Sequence, residues 1–208
     1  MPLEKGNPQA KQPAPDIISL PVPAPQGKMS VEEALRRRRS VREFREKLLT
    51  DQELSQLLWA AQGITDAAGL RTAPSAGALY PLELYVSTPQ GFYRYEPRGH
   101  RLRRSADGDL RPAIYRAALE QEAIRQAPAV LVIAAVYERT AFKYGQARAP
   151  RYVHVEVGHA AQNVLLEAVA LGLGGVPIGA FDDLALQKAL GLPADHKPLY
   201  LIPVGHPR

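Results

Sequence analysis

The chain has 208 residues, with Lys and Arg at 26 against Asp and Glu at 21, a formal net charge of +5. That length suits one domain with a core of its own. The charge permits nucleic acid as a partner without demanding it. Cysteine is absent, which excludes disulfides, thiolate metal sites and cysteine nucleophiles.

Residues 1–28 carry seven prolines up to Pro25 and no apolar run long enough for a secretory signal. They predict an extended arm, either a tail or a segment that docks through Ile17, Ile18, Leu20 and Val22. Residues 29–208 follow as the folded domain. Ser30 and Glu33 form a capping box opening a helix to about Arg38, and Thr50 and Glu53 form another. The second helix sets Leu54, Leu57, Leu58 and Ala61 on one face and closes at Gly63. Arg71–Tyr80 reads as a loop and Leu82–Thr88 as a strand. Phe92–Tyr95 and Leu102–Arg103 read as a short exposed hairpin turning over Glu96–His100. Leu110–Arg125 reads as one amphipathic helix. Ala129–Tyr137 is nearly all apolar, as in a strand buried on both faces. Phe142–Pro150 reads as loop and Tyr152–Leu171 as the central helix. A short strand near Val176–Ile178, a helix over Asp183–Leu190 and a strand over Leu199–Val204 complete the chain. Strands and helices mix without a β-α-β alternation, so the class is α+β. The central helix carries His154, Glu156, His159, Gln162, Asn163 and Glu167, which a bilayer core rejects. No membrane is expected as a partner, and the compartment expected is the cytoplasm.

Several motifs fail on context. Gly172-Leu173-Gly174-Gly175 follows a helix and opens a strand, the reverse of a dinucleotide fingerprint. His154 and His159 are five apart, off the four-residue spacing that puts two metal ligands on one helix face. No metal is expected. His159 reads as satisfying a backbone group or packing at a helix interface. Gln162 and Asn163 read as interface contacts, and Trp59 as core or dimer contact. The densest charge, Arg36 to Arg39 with Ser40, Arg42 and Arg45, has three readings: a solvated helix end, a nucleic-acid patch, or a phosphate clamp in which guanidinium forks meet phosphate oxygens.

Arg38-Arg39-Ser40-Val41-Arg42-Glu43-Phe44 resembles the opening motif of the nitroreductase family of flavin enzymes. Thr72 to Pro81 resembles its second flavin-binding loop. Gly158 to Asn163, Gly172 to Gly179 and Leu201 to Gly205 resemble its central helix, third loop and closing strand. The match covers roughly Met29 to Arg208 and is most similar to the SagB-type branch, which includes azoline dehydrogenases. The resemblance implies an α+β sandwich of a mixed, mainly antiparallel sheet with helices on both faces. It implies an intertwined homodimer with FMN at the subunit interface. Arg38, Arg39, Ser40 and Arg42 would hold the phosphate and ribityl chain, and Arg208 would add to that site. Pro74, Ser75, Ala76, Gly77 and Leu79 would run along the flavin ring. Pro177, Ile178 and Gly179 would cover another part, with backbone N–H groups near its N5.

Two activities follow. In the first, NADH or NADPH reduces FMN, and a nitroaromatic, quinone or similar acceptor takes the electrons; the flavin carries the chemistry. In the second, FMN oxidises an azoline ring, and Lys143 and Tyr144 are similar to the Lys-Tyr pair of azoline oxidases proposed for proton abstraction. Lys143 and Tyr144 also read as an ordinary loop lysine beside a packed tyrosine. A basic nucleic-acid-binding module and a flavin-storage protein are the readings outside catalysis.

Overall fold

The computed structural model describes residues 16–208; the first part of the proline-rich arm lies outside them. Ile17–Ser19 forms β1 and pairs antiparallel with β4 (Arg101–Asp107). The rest of the arm crosses the helix Asp51–Gln62 (α2). Ser55 Oγ donates to Pro21 O at 2.6 Å, and Ala24 N donates to Gln56 Oε1 at 2.9 Å. Ile18 and Leu20 pack against the core, whereas Val22 is exposed. The arm therefore lies on its own domain from residue 16 onward.

The sheet has seven strands in the order β1-β4-β3-β2-β5-β7-β6. The remaining members are β2 (Leu82–Thr88), β3 (Gly91–Glu96), β5 (Ala129–Ala135), β6 (Gly174–Gly175) and β7 (Lys197–Gly205). Strand pairs are antiparallel, and one parallel bridge joins Ser40 to Gly175. Every residue of β5 is buried. Its alternation sends Leu131 and Ile133 to one face and Val130 and Val132 to the other. On the first face lie α2 and the long helix α6 (Ala149–Ala170). On the second lie α3 (Arg111–Ala117), α4 (Glu122–Gln126) and α7 (Asp183–Ala189). Val31–Arg37 (α1) and Tyr137–Tyr144 (α5) flank α6. Among the described residues no helix is long and apolar enough to cross a membrane.

Three expectations need correction. The hairpin is longer than expected and its aromatics are core: Tyr93 and Tyr95 are buried on the face that α2 and α6 cover, and Phe92 on the other. The single helix expected over Leu110–Arg125 is two, because Leu119 and Glu120 take left-handed φ of 55° and 54° and turn the chain back. The segment expected as loop over Phe142–Pro150 is loop only over residues 145–148, with helix at both ends. Tyr137–Tyr144 forms α5, and Gly145, at φ 77°, closes it.

Candidate functional site

Helix α1 opens on Ser30 and stops at Arg38. Past it the chain runs extended along the sheet edge. Val41 N donates to Gly175 O at 3.0 Å, and a Cβ on Gly174 would stand 2.6 Å from Val41 Cγ2, so only glycine lets the segment dock. Further on, Phe44 bridges Pro207, Arg45 N donates to His206 O at 2.9 Å and Arg208 N to Glu43 O at 3.3 Å. The first motif, the chain end and the start of the third loop thus share one edge. Charge divides cleanly here. Arg36 and Arg37 both pair with Glu33. Among the described residues, Arg38, Arg39, Arg42 and Arg208 have no carboxylate within 4.0 Å. Arg39 Nη1 instead donates to the carbonyls of Arg36 and Arg38 at 3.0 and 2.7 Å.

The second loop hangs from α6. His159 Nδ1 lies 3.3 Å from Pro74 O, and Asn163 Nδ2 donates to Thr72 O at 3.3 Å. Ser75 Oγ accepts from Tyr80 N at 2.9 Å, and Tyr80 Oη accepts from Arg71 N at 3.2 Å. The tip is tight: Gly77, Ala78 and Tyr80 have φ of 63°, 53° and 48°. Lys143 and Tyr144, on the last turn of α5, close over that tip. A Cβ on Gly77 would lie 3.0 Å from both Lys143 Nζ and Tyr144 Oη. The pair therefore faces the loop, although it stands on a helix end. Gly145, after a lysine-bearing turn, was the signal for that helix.

In the sequence Glu156 counted only as a residue that a bilayer core rejects, not as a site residue. It occupies the buried stripe of α6 with Val153, Val157 and Ala160, and its Oε1 has no hydrogen-bond partner. Burial pushes its carboxyl up to about 7, against the opposing pull of the Ser75 hydroxyl and the Arg71 charge. A glutamate on the apolar repeat was the available signal. His154, by contrast, is engaged by the Tyr137 hydroxyl at 2.6 Å.

The third loop is committed differently from expectation. Ile178 and Leu201 exchange both backbone hydrogen bonds, at 2.8 and 3.0 Å, and Pro177 has no N–H. Of the three residues, only Gly179 keeps an N–H without a protein partner among the described residues. It lies against Tyr200, whose Cε2 would be 3.7 Å from a Cβ there.

These residues fit FMN. Unpaired guanidiniums and the Ser40 hydroxyl suit a phosphate dianion. Gly179 offers one backbone donor.

The nitroreductase family model matches residues 35–206. The chain belongs to the nitroreductase family. A provisionally named nitroreductase of Methanocaldococcus jannaschii is 48% identical over 183 residues, 85% of this chain and 91% of that protein. A provisionally named nitroreductase from Ralstonia eutropha JMP134 has a crystal structure that superposes with a TM-score of 0.86 at 30% identity. The match covers 100% of this chain and 98% of that one. The E. coli microcin synthetase McbBCD complex, solved with truncated pro-microcin B17, contains a chain of the same fold, with a TM-score of 0.73 at 24% identity. That match covers 82% of this nitroreductase-family chain and 70% of the other. The chain has the nitroreductase-like α+β fold, and its class of activity is oxidoreductase.

Proposed function

We propose that the protein is an FMN-dependent oxidoreductase that takes hydride from NADH or NADPH and reduces nitroaromatic, quinone or similar electrophilic acceptors. The observation that carries this reading is the group of unpaired cations, Arg38, Arg39, Arg42 and Arg208, held on one sheet edge with the third loop. Guanidiniums without carboxylate partners are free to take a phosphate, whose charge and oxygens match their forks. Bound FMN would supply two-electron chemistry, accepting hydride and returning electrons to the acceptor. Arg38, Arg39, Ser40 and Arg42 hold the phosphate end, with Arg208 beside Glu43. The Pro74–Leu79 loop lines the ring, and Gly179 donates its N–H toward the ring. Pro177 and Ile178 act as an apolar wall, since neither has an N–H to give. The proposal takes the cytoplasm, where nicotinamide donors are abundant, as the compartment.

The working unit is a homodimer. Arg151, His154, Val155, Gly158 and His159 form an exposed stripe on α6, and Phe142 is fully outward on α5 beside it. A mid-helix glycine costs about 1 kcal/mol relative to alanine. At Gly158 it leaves a flat strip with open space where a Cβ would be, suited to the close approach of a second copy.

A second reading rests on one observation, the closure of Lys143 and Tyr144 over Gly77. It is an FMN-dependent azoline dehydrogenase of the SagB type, with the pair removing protons from the ring being oxidised. A titration of apoprotein with FMN tests the leading reading. Arg39→Ala and Ser40→Ala should each weaken FMN binding at least tenfold; unchanged binding in both would refute the phosphate assignment.

A further inference from the structure

A second cationic site lies away from the phosphate edge, where the C-terminal turn of α2 meets β2, β3 and the β3–β4 turn. The cleft encloses about 320 Å³. Arg71, Arg94, Arg98, Arg101 and Arg139 line it, against two carboxylates, Glu83 and Glu96. Both carboxylates are already saturated. Glu83 takes Arg94 at 2.7 Å and Arg139 at 2.5 Å, and Glu96 takes Arg101 at 2.6 Å and Arg103 at 2.5 Å. That leaves an excess of three positive charges facing the cleft.

Two groups there lack the partners that their burial calls for. Arg71 stacks 4.4 Å over the Tyr80 ring and has no carboxylate within 4.0 Å among the described residues. Its Nη1 donates to Gln62 Oε1 at 2.6 Å. Gln62 is itself only 2% exposed, and its Nε2 has no hydrogen-bond partner among the described residues. An orphaned buried amide N–H is costly, since it has given up water for nothing. A guanidinium drawn from water with no carboxylate in contact is costly as well, and burial holds Arg71 below its ordinary pKa against the longer-range pull of Glu156 and Glu83. An acceptor with several oxygens would satisfy both at once.

The geometry points to a binding site for a small polyanion, bearing a phosphoryl or carboxylate group, that Arg71 and the Gln62 amide grip from below and Arg98 closes from the β3–β4 turn. Guanidinium forks match either group bidentately. The floor of Leu82, Leu84 and Tyr95 admits a compact apolar portion. Because Arg71 N and Tyr80 Oη tie the two ends of the second loop together, the ligand would sit at the base of that loop, outside the ring-lining tip.

The test is isothermal titration of the FMN-saturated protein with inorganic phosphate and with malonate, at fixed ionic strength. Saturation keeps the phosphate edge occupied, and an Arg39→Ala protein reports that edge separately. At least one anion should bind with one site per chain. Arg98→Glu, at an exposed residue with no ion pair among the described residues, should weaken that binding tenfold or more, as should Arg71→Met, while FMN affinity stays unchanged. Phosphate preference would mark a phosphoryl ligand and malonate preference a carboxylate one. Absence of binding by both, or binding insensitive to Arg98→Glu and Arg71→Met, would overturn the site and leave the FMN reading untouched.

Discussion

The rings of Tyr144 and Tyr152 pack with centroids 4.7 Å apart and tilted by 56°, joining the last turn of α5 to the first turns of α6. This contact braces Tyr144 against the second loop, where Gly77 leaves just enough room. Gly77→Val would add a Cβ at 3.0 Å from two polar atoms and force a β-branched residue to φ 63°. Such backbone strain costs of order 1–3 kcal/mol. The loop tip should shift, FMN affinity should fall at least tenfold, and the thermal midpoint should fall by only a few degrees. Fluorescence titration of FMN with a parallel melt checks both.

Lys143→Ala separates the two activities. It should retain FMN and keep NADH–quinone turnover within about threefold of the parent, because hydride transfer to and from flavin requires no protein base. Loss of azoline oxidation by more than a hundredfold, with FMN still bound and quinone turnover kept, would favour the azoline reading.

Glu156 gives a pH dependence with a definite sign. Its folded pKa is raised to about 7 from 4.5. The folded state therefore holds the proton more tightly than the unfolded state does. The stability this contributes is complete below about pH 4.5 and is lost as pH rises through 7. The loss is at most about 3 kcal/mol at 1.36 kcal/mol per unit. Glu156→Gln should flatten that slope and match or exceed the parent at pH 8, with the gap closing near pH 5. Chemical denaturation at both pH values reads the difference.

Gly63 follows α2 at an ordinary φ of −63°, so its need is steric. An added Cβ would stand 2.1 Å from Cδ1 of Trp59. Gly63→Ala should destabilise by about 1–3 kcal/mol, the usual cost of overpacking. The drop should appear in the denaturation midpoint without a change in FMN stoichiometry.

Local signals carried much of the fold. Thr50 and Glu53 announced α2, and the reciprocal capping box is present. The apolar run Ala129–Ala135 announced a strand buried on both faces. What failed was set by distant contacts. The hairpin aromatics looked exposed because their cover, α2 on the Tyr93 and Tyr95 face and Tyr85 against Phe92 on the other, lies elsewhere in the chain. Leu119 and Glu120 have no local reason to be left-handed; the reversal lets α3 and α4 both pack on the sheet. At the site, Arg38 to Arg42 and the Pro74–Leu79 loop were legible as segments. The commitment of Ile178 N–H to Leu201 was not, since it depends on strand register. Nor was the arginine cleft, whose residues come from five separate stretches.

The central claim is tested most directly by the visible absorption spectrum of the purified protein, recorded anaerobically before and after adding NADH or NADPH. The account predicts a flavin spectrum that bleaches on addition of the nicotinamide. A colourless protein that also fails to take up added FMN would contradict it.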